Sequence, residues 1–572
     1  MLATTLISSL TKIFPDEVNG KEIEYATALK NEPFSFQVAF KNADTQSNAI
    51  PIFVKIETDL DINCISEYKE GYVPLLRCVS QNADDYYDRK QPGLYPDMLL
   101  LRNTVSEIEN DGFWAPRFYE QNEKNQLYSI SEAYQGIWFT VNEKGIELNP
   151  GKYRISVIFC RSSDGAEVAR NTLKLELIDA CLPKQQLIYT CWFHCDCLAD
   201  LYNVEMFSDR HFDIIKSFAE KAAETGMNMI LLPAFTPPLD TPVGKERKTA
   251  QLVKVKLSGG KYSFDFSLME KFIKLMQECG ITYFEHSHLF TQWGAQYAPK
   301  IIAEVDGEEK RIFGWDTDSK SKEYAEFLRE YFRALLKFLD RVGIGKNIFF
   351  HISDEPTEKH IEHYRNALNV VKSEIKGYPS GDAISHYRFF EDGSVDTPIV
   401  AINSNDIGKF IENCDNFWVY YCCETLYDGY SNRTIPCTGA RNRILGTQMY
   451  YAGAKGFLNW GYNYYYDVLS HGLFNPSENP GGYGQEAGGS FVVYAGCDGK
   501  AIPSIRMKVF YEGLNDFRAL CTLEELIGRE KTKEFVISFF GKMDFHTCPD
   551  NETLLCFRER INNLIKVNQN RI

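Results

Sequence analysis

The sequence predicts a multidomain chain: an N-terminal β-sandwich, a central (β/α)8 barrel and a small, mostly helical C-terminal extension. Three observations carry that reading. Residues 1–183 are filled with short strand-like runs separated by turn-forming Asn, Asp, Gly and Pro. From about residue 186 the rhythm changes, and apolar strand candidates alternate with amphipathic helix candidates, the pattern of a parallel sheet. Eight such strand candidates precede residue 463, which is the number a closed barrel requires.

At 572 residues the chain is too long for one ordinary domain, and boundaries of 1–183, 184–490 and 491–572 divide it. In the first segment, residues 34–40 (FSFQVAF), 52–56, 136–141 (GIWFTV) and 153–159 (YRISVIF) read as strands, with Asn149, Pro150 and Gly151 forming a turn. No acid pair stands out there, so the segment reads as a scaffold. In the second segment, strands are expected at 187–193, 229–232, 281–285, 347–353, 378–384, 398–402, 417–422 and 456–460. Helices are expected at 209–225, 266–279, 321–342 and 358–375, the first three stopped by Gly226, Gly280 and Gly343. The fifth strand is the most weakly marked. Residues 463–490, rich in Gly, Asn, Pro and Tyr, read as a long rim loop. The last segment offers a strand at 491–494 and helices at 505–527, 533–540 and 551–567.

Composition narrows the partners. With 62 basic and 78 acidic residues, a net charge of −16 and no long basic run, neither nucleic acid nor an anionic membrane is an expected partner. The opening residues carry no export pattern and no apolar run approaches 18 residues, so a cytoplasmic protein with its 16 cysteines reduced is expected.

The chemistry centres on residues 347–356, NIFFHISDEP. An apolar strand there ends in two adjacent carboxylates, Asp354 and Glu355, and then Pro356. Two acids drawn into one partly dry pocket repel each other, so one proton is held more tightly than the other, and a site can keep both an acid and a base near neutral pH. Pro356 should bias Glu355 toward extended backbone. The competing reading is structural: Asp354 would cap the following helix and Glu355 would be solvated in its first turn.

The other strand ends can be assembled in the same way. They bring Trp192, His194 and Asp196 after the first strand and Phe235 after the second. His286, His288 and Trp293 follow the third, Asn403 the sixth, Tyr420 and Tyr421 the seventh, and Trp460 and Tyr462 the eighth. Rings for stacking and amides, imidazoles and acids for hydroxyls, with no phosphate loop, suit a neutral polyhydroxylated ligand. Tyr420 and Tyr421 are neighbours on a strand, so only one should face the site. Arg247 either clamps hydroxyls or balances nearby acids. Cys191, His194, Cys195, Asp196 and Cys197 are crowded, but alternation points neighbours apart, and no metal or other cofactor is expected.

Residues 192–202 (WFHCDCLADLY), 231–241 (LLPAFTPPLDT), 251–255 (QLVKV), 285–301 (EHSHLFTQWGAQYAPKI), 313–317 (FGWDT), 351–356 (HISDEP) and 494–520 together resemble glycoside hydrolase family 123. The resemblance implies a β-sandwich followed by a (β/α)8 barrel, and β-N-acetylgalactosaminidase activity on an oligosaccharide with a terminal β-linked N-acetylhexosamine. It also implies retaining, substrate-assisted hydrolysis. Glu355 then corresponds to the general acid/base. Asp354 corresponds to the residue that orients the 2-acetamido group as its carbonyl oxygen attacks the anomeric carbon. Tyr420 or Tyr421 would hold the acetamido oxygen. The alternatives are a conventional two-carboxylate glycosidase, with Asp196 or Glu424 as the partner acid, and a non-catalytic carbohydrate-binding protein.

Overall fold

The computed structural model of the chain describes residues 2–43, 49–77, 79, 83–101, 127–130, 132–242, 244–422, 425, 427–484 and 486–569. Ten strands come first: β1 (Leu2–Ser8), β2 (Tyr25–Leu29), β3 (Phe34–Asn42), β4 (Ala49–Thr58), β5 (Ile65–Leu75), β6 (Gly93–Leu101), β7 (Leu127–Ile130), β8 (Gln135–Val141), β9 (Gly151–Arg161) and β10 (Glu167–Ile178). They form two five-stranded sheets, ordered β1-β3-β8-β5-β6 and β2-β10-β9-β4-β7. Strand alternation aims Phe36, Val38 and Phe40 of β3 and Ile137 and Phe139 of β8 toward Val157, Phe159, Leu173 and Leu175 of the other sheet. Phe36 and Phe139 are register partners, and their rings stack at 5.1 Å.

The chain then winds through β11 (Ile188–Cys191), α1 (Cys195–Leu201), α2 (Asp209–Glu224), β12 (Met229–Leu232), β13 (Lys254–Ser258), β14 (Lys261–Asp265), α3 (Ser267–Glu278) and β15 (Tyr283–His286). It continues with β16 (Ile301–Val305), β17 (Glu308–Phe313), α4 (Lys322–Val342), β18 (Ile348–Phe350), α5 (Ile361–Val371), β19 (Gly381–Ile384), α6 (Arg388–Glu391) and β20 (Thr397–Ala401). The circuit ends with α7 (Ile407–Asn413), β21 (Trp418–Tyr420), α8 (Gly439–Arg443), α9 (Leu445–Ala452) and β22 (Gly456–Asn459).

Eight of these strands form one sheet in the order β18-β15-β12-β11-β22-β21-β20-β19, and every pairing in it is parallel. The sheet is nearly closed into a barrel. Its seam lies between β18 and β19, where Phe350 bridges to Ser380 and the Phe350 amide donates to the Pro379 carbonyl at 3.0 Å.

Alternation along the barrel strands sorts the side chains into two cores. Trp192, Leu231, Phe349, Ala383, Ile399, Trp418, Tyr420 and Leu458 fill the interior. Ile230, Leu232, Phe284, Phe350, Val400, Val419, Tyr421 and Phe457 face the surrounding helices. The interior is packed closely enough to require glycine at the base of β22, where a Cβ on Gly456 would stand 2.4 Å from the Trp418 ring. Helix α4 illustrates how the outer layer is specified. The Ser321 hydroxyl accepts from the Tyr324 amide, Gly343 ends the helix at φ 77°, and Tyr324, Phe327, Leu328, Tyr331, Leu335, Phe338 and Leu339 form its buried stripe.

A second sheet, β14-β13-β16-β17, grows from the loops after the second and third barrel strands. The C-terminal segment supplies β23 (Val493–Ala495), β24 (Ala501–Pro503), α10 (Ile505–Ile527), α11 (Arg529–Phe540) and α12 (Asn551–Gln569). Buried ion pairs join this segment to the sandwich. Arg506 meets Asp97 at 3.0 Å, and Arg558 meets Glu32 at 2.6 Å.

Two local expectations need correction. The strand expected at 347–353 pairs as strand only over Ile348–Phe350, because the amides of Ile352 and Ser353 donate to a side chain instead of a neighbouring strand. Glu355 is not extended either. Its φ of 44° lies in the left-handed region, a costly conformation for a residue with a Cβ.

Candidate active site

At the C-terminal mouth of the barrel lies a cavity of about 210 Å³. Seven residues expected from sequence line it: Trp192, His194, Trp293, Asp354, Glu355, Tyr420 and Trp460. Leu239, Asp240, Gln292, Ala383, Cys422, Leu458 and Val468 complete the wall, the last from the rim loop.

Asp354 is only 8% exposed and stands directly beside Glu355. Its backbone carbonyl accepts from the Trp293 amide at 2.8 Å, which ties the acid loop to the loop after β15. Trp293 itself has φ 58°, and the following Gly294, at φ 123°, leaves room for the His360 ring, which a Cβ would meet at 2.7 Å. The Tyr420 hydroxyl donates to Glu355 Oε1 at 2.8 Å. Burial pushes the Asp354 carboxyl well above the ordinary carboxylate range, the charges of Glu355 and Asp382 push it the same way, and His351 opposes them. Asp354 therefore holds a proton to a higher pH than an exposed acid would.

Beneath the pair is a buried polar network that fixes it. Asp382, on β19, accepts from the backbone amides of Ile352 at 3.0 Å and Ser353 at 3.2 Å, and from the Tyr364 hydroxyl at 2.5 Å. Its Oδ1 also lies 3.3 Å from His351 Nδ1. The other nitrogen of His351 meets Glu285 Oε2 at 2.8 Å, and Glu285 accepts from Trp192 Nε1 at 3.0 Å and from the Thr190 hydroxyl. Burial alone would lower the His351 pKa, but Asp382 and Glu285 outweigh it and hold the imidazolium up to about 9. The two residues before the acids are thus held by one carboxylate, and the ring of Trp192 is oriented by another.

Seven expected residues do not line this cavity, two of which, Phe235 and His286, are buried against Tyr331 of α4. Asp196 lies in α1 behind it, with both oxygens taken by Arg247 at 2.8 Å, so Arg247 balances an acid. The same guanidinium reaches His194 Nδ1 at 3.2 Å, and burial together with Arg247 lowers the His194 pKa to about 4, which keeps a neutral ring in the wall. His288 is buried below, stacked at 4.6 Å on His351 and edge-on to Trp192 at 5.0 Å. Tyr421 points outward into the helix layer, as alternation next to Tyr420 requires. Tyr462 also points outward, its hydroxyl donating to the Phe218 carbonyl at 2.7 Å. Asn403 lies in an adjoining cleft. Glu424 is outside the described residues.

The crowded Cys and His segment is occupied by other contacts, with Arg433 donating to Cys191 Sγ at 3.0 Å and burial pushing the Cys195 and Cys197 thiols up. Among the described residues, no three His, Cys, Asp or Glu side chains are grouped as a metal would require. None of their helices is long and apolar enough to cross a membrane.

Sequence reasoning missed Glu285, Asp382, Asp240 and Gln292. For the first two a signal existed: a carboxylate inside a strand buried on both faces demands partners. Asp240 and Gln292 sit in irregular loops that carry no such signal. Asp240 has φ 43°, and its Oδ2 accepts from the Tyr464 hydroxyl at 2.5 Å and the Leu469 amide at 3.0 Å, pinning the rim loop.

A parallel barrel that brings two acids and several rings to one cavity at its strand ends is an architecture on which glycoside hydrolases work. The description "Glycoside hydrolase 123, catalytic domain" matches residues 192–523, more than half of the chain, and the protein belongs to that family of glycoside hydrolases. Among solved structures, a family 123 glycoside hydrolase from Clostridium perfringens, studied for glycolipid glycan hydrolysis, is similar over 100% of this chain and 98% of its own. The identity is 14% and the TM-score 0.71, so this likeness shows the fold. An endo-1,4-β-D-xylanase from Clostridium thermocellum has 8% identity, covers 90% of this chain and 93% of its own, and has a TM-score of 0.32. A family 39 glycoside hydrolase from Bacteroides cellulosilyticus has 9% identity, covers 88% and 82%, and has a TM-score of 0.30. At such scores neither enzyme informs the chemistry of this chain. No curated protein matches the sequence.

Proposed function

We propose that this glycoside hydrolase removes terminal β-linked N-acetylhexosamine residues, N-acetylgalactosamine first among them, by substrate-assisted hydrolysis with retention. One observation carries the reading: Asp354 and Glu355 are adjacent in the chain and line one cavity, so they are not set on opposite faces of a sugar as a two-carboxylate mechanism requires. A nucleophile carried by the substrate removes that requirement.

In this mechanism the acetamido N–H donates to Asp354, which favours the carboxylate form there and leaves the proton of the pair on Glu355. The acetamido carbonyl oxygen attacks the anomeric carbon as the bond to the leaving group breaks, and Glu355 protonates the departing oxygen. Water then attacks the anomeric carbon of the oxazoline-like intermediate, Glu355 takes its proton, and the acetamido group is restored. Tyr420, already bonded to Glu355, is close enough to that carboxylate to orient it or to turn to the acetamido oxygen. Trp192 and Trp460 offer faces to the pyranose. The C. perfringens relative, studied for glycolipid glycan hydrolysis, is in keeping with a glycan substrate. The buried thiols Cys191, Cys195 and Cys197 support a reducing, cytoplasmic setting as part of the proposal.

A second reading has one observation in its favour. Asp240 also lines the cavity and would serve as the partner acid of a conventional glycosidase. Its bonds to Tyr464 and Leu469 argue for a structural duty instead. Assays on p-nitrophenyl β-GalNAc, β-GlcNAc and β-galactoside separate the two. Turnover of the acetamido sugars alone is expected, whereas turnover of the galactoside alone removes the assisted mechanism, because that substrate has no internal nucleophile.

A further inference from the structure

A cleft of about 420 Å³ lies where the sandwich meets the C-terminal helices, and it shares no lining residue with the catalytic cavity. Its walls come from the end of β1, from β2 and the turn into β3, and from α8, α10 and α12. We propose that this cleft is a separate binding site for a small aliphatic amine in its ammonium form, with the charged nitrogen on Glu512 and the hydrocarbon stem along the apolar wall. Nothing in the assignment depends on the glycosidase reading.

The charge of the ligand follows from the floor. Five side chains, each at most 9% exposed, alternate in sign there. Glu512 meets Arg443 at 2.7 Å, Arg443 meets Asp516 at 2.7 Å, Asp516 meets Arg558 at 3.1 Å, and Arg558 meets Glu32 at 2.6 Å. Three carboxylates against two guanidiniums leave one negative charge in excess, and buried charge without a partner is costly. The excess has a place. Glu512 Oε2 accepts from the Ser9 hydroxyl at 2.8 Å and from Arg443 at 2.7 Å, whereas Oε1 has no hydrogen-bond partner among the described residues. Burial pushes the Glu512 carboxyl up to about 7; Asp516 and Glu32 push it the same way, and Arg443 and Ser9 oppose them. A proton therefore settles there in mild acid. An ammonium N–H supplies the same hydrogen bond and brings the balancing charge with it.

The stem follows from the walls. Ile23, Ala26, Pro33, Phe34 and Leu555 offer a hydrocarbon chain apolar surface to cover. The polar groups of the rim are already engaged, Glu559 by the amide and hydroxyl of Thr27 at 2.9 and 2.7 Å and the Tyr25 hydroxyl by Glu176 at 2.6 Å, which leaves little for a polyhydroxylated ligand. Glu559 and the exposed Arg560 balance each other in charge at that rim, so the excess stays on the floor.

Calorimetric titration of the full chain at pH 8 with n-pentylammonium, 1-pentanol and pentanoate tests the assignment. Saturable binding of the ammonium alone is expected; no binding of it overturns the site, and equal binding of the alcohol or the carboxylate overturns the class. Affinity for the ammonium should fall about tenfold in Glu512→Gln, the effect of losing one charge-assisted hydrogen bond. It should also fall about tenfold in the wild type between pH 8 and pH 6, as a proton takes the place of the ligand. Should Glu512→Gln fail to fold, Cys556→Arg, at an exposed position on the cleft wall, adds a repelling charge without entering the core, and it too should weaken binding. Unchanged affinity in either variant, or equal affinity at the two pH values, places the ammonium elsewhere, the acids of the catalytic cavity included, and overturns the proposal.

Discussion

Glu70 of the sandwich and Glu285 of the barrel are both fully buried in β-sheet, yet their surroundings are opposite. Both carboxylate oxygens of Glu70 lack a hydrogen-bond partner among the described residues, and burial pushes its pKa up to about 8, so it sits in the sheet as a neutral acid at physiological pH. Glu285 accepts from Thr190, Trp192 and His351, and His351 continues to Asp382 and so to the backbone beside Asp354 and Glu355. The sandwich thus tolerates a silent acid on the sheet face that Tyr68, Leu99 and Trp138 turn toward the C-terminal helices, whereas the barrel surrounds its acid with donors and uses the result to aim other groups. The difference points to the barrel: the linked Glu285, His351 and Asp382 lie below the cavity mouth, and the left-handed residues Asp240, Trp293 and Glu355 line it.

Four substitutions sharpen or break that contrast. The largest effect is expected for Glu355→Gln, which should lower kcat/KM about 10²- to 10⁴-fold without changing Tm by more than a few degrees. An unchanged rate would make the acid a bystander. Phe36→Ala, in the sandwich core, should cost about 3–5 kcal/mol of stability in denaturant unfolding and leave the kcat/KM of the folded protein unaltered. A matching loss of activity would mean that the sandwich reaches the site.

His351→Gln tests the barrel network. The folded imidazole titrates near 9 against an unfolded value of 6.5, so its contribution is fully present below about pH 6.5 and is lost as pH rises through 9. At pH 6 the variant should be about 3 kcal/mol less stable, and the gap should close by pH 10. A gap that does not depend on pH would contradict a charged histidine there.

Glu70→Met should be the mildest, within about 1 kcal/mol at pH 5. Its folded pKa is raised, so the wild-type protein loses stability between its unfolded value of 4.5 and about 8. The variant should therefore gain on the wild type in Tm across that window, and parallel Tm curves would show that Glu70 is not buried as an acid. Activity should be the same in both proteins throughout.

Most of this architecture is legible in the residues themselves. The strand at 229–232 and the helix at 505–527 coincide with β12 and α10, since an apolar run bounded by turn residues, or a long periodic stretch capped by Ser504 and ended by Gly528, leaves few alternatives. The rim sheet was not legible. Strands β13 (KVKLS) and β14 (KYSFD) alternate polar and apolar residues over only five positions each, and β17 (EEKRIF) opens with four charged residues, so short and largely exposed strands carry little signal. Asp354 and Glu355 announce themselves as paired acids after a strand. Asp382 hides in the weakly marked strand GDAI, where glycine and a carboxylate depress every strand signal, although that carboxylate holds the acids in place. Tyr420 and Tyr421 were indistinguishable until the pleat decided which one entered the barrel.

The central claim is that the substrate supplies the attacking atom. It is tested most directly by kcat on p-nitrophenyl N-acylhexosaminides in which the acyl group runs from acetyl through mono- and difluoroacetyl to trifluoroacetyl. Each fluorine drains electron density from the carbonyl oxygen, so the account predicts a steep, monotonic fall in rate along the series. Rates independent of fluorination would contradict it and pass the nucleophile to the protein.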